Sequence, residues 1–147
     1  MSEASFSSGE WVGYYMYPNL PNKCPMHLTL QFLAGKVKGA GIDNPGQFVV
    51  EGDYFEETGL AKFVKRYVGK HSLEYVGKLR DGKLTGTWTL NQMKDGKLTT
   101  LQGEFRIWPL PEGKYGDDES LQSILDREIR EETEQLNLRR TGERPEN

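Results

Sequence analysis

Lys65 is the residue whose setting most demands chemistry. Side chains of a strand alternate between its two faces, so in Phe63-Val64-Lys65-Arg66-Tyr67 the lysine shares a face with Phe63 and Tyr67. A buried ammonium must pair with a carboxylate, give up its proton or meet an anion. Beside an open rim it can instead reach water along its aliphatic stem. By the same alternation Tyr15, Tyr54, Tyr75 and Trp88 fall among large apolar residues. Small-molecule sites combine apolar walls with a few convergent polar groups. Tyr15, Tyr54, Lys65, Tyr67, Tyr75 and Trp88 are therefore the candidate ligand-binding residues. In the competing account the same set is a packed core whose tyrosine hydroxyls find partners inside the protein.

Other arrangements offer less. Cys24-x-x-His27 supplies two types of metal ligand, but no second pair completes a set. His71 stands beside a turn, with no Ser, Cys or Asp placed by a motif to make a nucleophile–base pair. Glu56-Glu57 and Asp117-Asp118 fall in turn segments, where solvation or helix capping accounts for them. No phosphate-binding glycine loop joins a strand to a helix. The expectation is no catalytic residue, no metal and no cofactor, which makes an isomerase- or hydrolase-like enzyme the weakest function class.

The elements that must position these residues are strands. Alternating or β-rich composition covers 10–17, 26–33, 36–42, 47–55, 60–68, 72–80, 83–91 and 98–108. Short turn segments separate them, among them Ala34-Gly35, Asp81-Gly82 and Asp95-Gly96. Asp-Gly is a strong hairpin signal, because two-residue turns need positive φ. Only 18–25 is a longer connection. Linkers this short force antiparallel neighbours, and eight such strands gain by closing, since closure removes both edges. Gly13, Gly39, Gly41, Gly52, Gly77, Gly86 and Gly103 each lie two residues from a large apolar residue on the same face, as at the sharp bends of a barrel wall. That face also carries Trp11, Leu28, Leu30, Phe32, Val37, Phe48, Val50, Phe63, Leu73, Leu84, Phe105 and Ile107.

The predicted fold is all-β: an eight-stranded antiparallel up-and-down barrel followed by a C-terminal α-helix. Residues 1–8 are expected to be a disordered N-terminus, 9–110 the barrel domain, 117–138 an amphipathic helix and 139–147 a flexible tail. Asp118 can cap the helix, expected over about 119–136, with Leu121, Ile124, Leu125, Ile129 and Leu136 on one side and Glu128 and Glu132 intruding. Charge changes with architecture: residues 117–147 hold ten acids against five bases, whereas the rest is slightly basic. No basic cluster is dense enough for nucleic acid. No run approaches the roughly 20 apolar residues of a membrane span, and the first residues carry no signal-peptide pattern. One cysteine permits no internal disulfide, which fits a reducing, cytoplasmic compartment.

Gly9-x-Trp11 opens the first strand, and Gly13 follows it. A tryptophan there can point inward and plug one barrel end while the glycines let the wall curve. Gly9, Trp11 and the eight-strand meander resemble the calycin group of lipocalins, fatty-acid-binding proteins and avidins, whose first strand often begins with Gly-x-Trp. Gly9, Trp11, Gly13 and Tyr17-Pro18 also resemble the start of nitrobindin-like haem barrels. Those hold haem iron through a histidine on a late strand, whereas His27 and His71 lie on neither of the last two strands. The calycin resemblance implies a non-enzymatic barrel that binds a small apolar or aromatic ligand, with room for an anionic group opposite Lys65. The alternative is a structural or interaction module with a side-chain-filled barrel, engaging a partner through its outer wall or helix. Self-association through the C-terminal helix belongs to the same expectation.

Overall fold

The computed structural model describes residues 6–141. Residues 1–5 of the expected disordered start and 142–147 of the expected tail lie outside the described residues. The first compact unit ends at Leu110. It holds β1 (Gly9–Met16), β2 (Cys24–Leu33), β3 (Lys36–Asp43), β4 (Gly46–Phe55), β5 (Leu60–Tyr67), β6 (Ser72–Arg80), β7 (Lys83–Lys94) and β8 (Lys97–Pro109). They close in sequence order into an antiparallel barrel, with β1 sealed to β8 through pairs such as Gly13↔Ile107 and Tyr15↔Phe105. Gly13 permits that seam: a Cβ there would stand 2.1 Å from the Arg106 carbonyl oxygen.

Of the expected inward side chains only that of Phe32 is half-buried, and the rest are buried. Asp81-Gly82 and Asp95-Gly96 adopt the positive φ pair of tight hairpin turns, as their sequence predicts. The last hairpin differs from expectation. β7 and β8 run on to Lys94 and from Lys97, and residues 91–100 are all exposed. A ladder held by a tight turn needs no buried face, so the polar composition that marks 92–97 as a loop misleads.

An up-and-down barrel has two unlike ends. The first receives the chain from Ser8 and carries the β2–β3, β4–β5 and β6–β7 turns. Trp11 lies there, fully buried, and its indole N–H donates to the Ser7 carbonyl at 2.8 Å. Phe6 packs its ring 5.1 Å from Phe32 and 5.0 Å from Tyr54, and Trp11 is 5.7 Å from Phe32. The Phe32 N–H donates to Ser8 Oγ at 2.9 Å. Of the start expected to be disordered, residues 6–8 are held to the barrel by one aromatic ring and two hydrogen bonds.

The second unit, Pro111–Asn147, contains α1 (Leu121–Thr141). Ser120, not Asp118, is its N-cap, its hydroxyl accepting from the Ser123 N–H at 3.1 Å. The helix starts later and runs further than expected, since no glycine or proline interrupts it before Gly142. Leu125, Glu128 and Glu132 are buried. Glu128, which breaks the apolar stripe, accepts from Lys114 Nζ at 2.7 Å and from the Tyr115 hydroxyl at 2.5 Å. Those contacts tie the approach segment to the helix. Burial, followed by that bond to Glu128, pushes the Tyr115 phenol up to about 12. No helix among the described residues is long and apolar enough to cross a membrane.

Candidate functional site

The second end of the barrel carries the β1–β2, β3–β4, β5–β6 and β7–β8 connections, and polar groups gather just below its rim. β5 places Lys65 inward between Phe63 and Tyr67, opposite Val50 of β4 and Leu73 of β6. The side chain is 1% exposed, so it does not reach water as a rim lysine would. Its partner is Asp43, the last residue of β3, whose side chain is 0% exposed. Lys65 Nζ donates to Asp43 Oδ2 at 2.6 Å and to the Tyr75 hydroxyl at 3.2 Å, and approaches Met26 Sδ at 3.8 Å. The Tyr67 hydroxyl donates to the same Oδ2 at 2.7 Å. Asp43 Oδ1 is buried and accepts no hydrogen bond among the described residues.

Aromatic rings enclose the ammonium. Nζ stands 4.5 Å from the Phe48 ring centre, 4.6 Å from Tyr15, 5.0 Å from Tyr67 and 5.3 Å from Tyr75. All lie within the range at which a ring's negative face attracts a cation. Burial lowers the Lys65 pKa, and the negative charge of Asp43 opposes that shift. Burial, then the bond to Asp43, pushes the Tyr67 phenol upward, and Tyr15 and Tyr75 rise through burial and then the Asp43 charge. Burial raises the Cys24 thiol as well. At neutral pH the phenols and thiol are protonated, and the one ammonium is committed to a carboxylate. Such a set can bind and orient, but it offers no free nucleophile.

Four of the residues singled out from sequence, Tyr15, Lys65, Tyr67 and Tyr75, meet around one point. Trp88 adjoins them, its ring 6.4 Å from Tyr15 and 5.5 Å from Tyr17, and its indole N–H donates to the Met16 carbonyl at 3.0 Å. Gly103 makes room for that indole, since a Cβ would fall 2.6 Å from Trp88 Cε2. Tyr54 does not join them; it packs at the opposite end against Phe6 and Phe32. His27 and Cys24 sit on opposite faces of β2, and His27 Nε2 pairs with Glu10 at 2.9 Å. Exposed His71 lies with its ring 5.3 Å from Tyr67. No cluster of three or more His, Cys, Asp or Glu among the described residues could hold a metal.

Sequence reasoning missed Asp43, which it placed in a turn. The signal was present: Val37, Gly39, Gly41 and Asp43 keep the inward period of two to the end of β3. A hollow of about 530 Å³ lies apart from this cluster, between Met16–Pro21 and Thr87, Gln102, Gly103 and Glu104, and takes in none of Tyr15, Asp43, Lys65, Tyr67, Tyr75 and Trp88. A smaller one of about 410 Å³ is formed by residues 55–60 at the other end.

No protein-family model matches the chain, and no curated protein is similar to it. Solved structures are. Rhizavidin superposes with a TM-score of 0.55 at 13% identity, over 80% of this chain and 90% of that one. The bradavidin2–biotin complex gives 0.53 at 15% identity, over 71% and 97%. The rhizavidin–biotin complex gives 0.50 at 12% identity, over 69% and 98%. The chain therefore shares the fold of these avidin-like structures, eight antiparallel strands closed in sequence order.

Proposed function

We propose that the chain is a non-enzymatic barrel that binds a small ligand at its second end. The observation that carries this is the convergence of Lys65, Asp43, Tyr15, Tyr67 and Tyr75 within aromatic walls at that end, while an aromatic plug seals the other. Burying a lysine–aspartate pair is an expensive way to fill a core, because desolvation of the two charges offsets much of their attraction. The fold's likeness to barrels solved with biotin supports a small ligand without identifying it. Apolar or aromatic chemistry is favoured by the rings of Tyr15, Tyr17 and Trp88. A cytoplasmic setting remains the proposal for a chain with one unpaired thiol.

The test is a ¹H–¹⁵N NMR titration of the full chain with small apolar and aromatic compounds, biotin included. Resonance shifts should cluster at Tyr15, Cys24, Asp43, Lys65, Tyr67 and Trp88. Shifts confined to Phe6, Phe32 and Tyr54, or none at all, overturn the assignment.

A second account is favoured by one observation: the inner side chains, from Trp11 to Ile107, are packed and buried along the barrel. A filled barrel suits an interaction module whose outer wall or helix engages a partner, a second copy included. Deleting residues 117–147 and measuring mass by light scattering tests self-association through the helix. A change of oligomeric state supports it, and an unchanged state removes it.

A further inference from the structure

We infer that the ligand presents a hydrogen-bond donor, an N–H or O–H on a small neutral apolar or aromatic body, and that Asp43 Oδ1 is the atom that reads it. This rests on the binding proposed above and names the chemical class it selects.

An ammonium has three hydrogens and no acceptor. Lys65 spends them toward Asp43 Oδ2, the Tyr75 hydroxyl and Met26 Sδ. The Tyr67 hydroxyl hydrogen goes to Asp43 Oδ2, and the Trp88 N–H goes to the Met16 carbonyl. The hydrogens of Lys65, Tyr67 and Trp88 are therefore committed, and a carboxylate ligand would meet the negative charge of Asp43. The acceptor side is unbalanced. Asp43 Oδ2 takes two hydrogen bonds, and Oδ1, equally buried, takes none. A carboxylate oxygen out of water without a donor is a costly group, and a donor brought to it gains a charge-assisted bond. An anion drawn to Lys65, as the sequence suggests, is thus opposed by the charge of Asp43. A cationic ligand fares little better, because Lys65 Nζ lies beside the same carboxylate at 2.6 Å. A neutral donor satisfies Oδ1 without opposing either charge, and the rings of Tyr15 and Trp88 supply walls for its body.

The test uses matched probes on the full chain, with dissociation constants from NMR titration. Phenol and indole donate; anisole and 1-methylindole have similar shapes without the donor; benzoate carries the negative charge. Phenol and indole should bind at least about tenfold more tightly than their methylated counterparts, as expected for a hydrogen bond to a charged group, and benzoate should bind most weakly. In Asp43→Asn, with folding checked by circular dichroism, the ratio should collapse toward one. Should that variant not fold, Asp43→Asn combined with Lys65→Met gives the same comparison without a stranded charge. Equal binding of the methylated probes, or tighter binding of benzoate, overturns the donor inference and leaves the binding end in place. No probe shifting any resonance at this end overturns both.

Discussion

The two ends of this barrel use aromatic residues for opposite purposes. At the first, Phe6, Trp11, Phe32 and Tyr54 pack ring against ring, and the Trp11 indole N–H is satisfied by a backbone carbonyl. At the second, Tyr15, Phe48, Tyr67 and Tyr75 surround an ammonium and a carboxylate. One end buries apolar area and leaves no polar conflict. The other holds a charge pair and an unmet acceptor among aromatic rings. A fold tolerates such a conflict where it serves something other than stability.

Removing one member of each end should give the largest effects. Trp11→Ala deletes the plug and should cost about 3–5 kcal/mol in urea unfolding, the range for large aromatic truncations. A loss below about 1 kcal/mol would mean that the first end is not a stability element. Asp43→Leu strands the Lys65 ammonium in the barrel and should also cost about 3–5 kcal/mol.

Removing both charges sharpens the contrast. Asp43→Leu with Lys65→Met should be neutral or stabilising by about 1–4 kcal/mol, as when well-packed apolar residues replace a buried pair. A double variant as unstable as Asp43→Leu alone would show that the pair is structural.

Alkaline pH probes the second end, with Tyr115 beside the helix as a further raised phenol outside it. Tyr15, Tyr67 and Tyr75 have phenol pKa values raised in the folded state, so their contribution is complete below the unfolded value of about 10 and is lost as pH rises above it. Lys65 has the opposite sign: its folded pKa is lowered, and the stability it contributes rises with pH up to its unfolded value of about 10.4. Three phenols outweigh one lysine, so stability should fall above about pH 10. Absorbance at tyrosine wavelengths should then show these phenols ionising together with unfolding. Ionisation while the barrel is still folded would contradict their burial. The smallest effect lies outside both ends. Ser120→Ala should cost about 1 kcal/mol of helix stability, read by circular dichroism, through loss of the cap to Ser123.

The fold was legible in the sequence because turn chemistry and strand parity act locally. Asp81-Gly82 and Asp95-Gly96 set their turns, and a period of two fixed which residues point inward, Lys65 among them. Parity says which face a side chain takes but not which end of the barrel it occupies. Tyr54 and Tyr67 therefore looked alike until strand direction separated them. Asp43 was lost because turn-forming residues surround it, and its partner lies 22 positions away on a strand two removed in the barrel order. The seating of Phe6 had no periodic signal at all.

The most direct test of the contrast is native mass spectrometry of the protein purified from its own source. It would be run beside the folded Asp43→Leu/Lys65→Met double variant and beside Tyr54→Phe. The account predicts a small-molecule adduct on the natural chain, retained by Tyr54→Phe and lost from the double variant. No adduct on the natural chain, or an adduct that survives in the double variant, would contradict it.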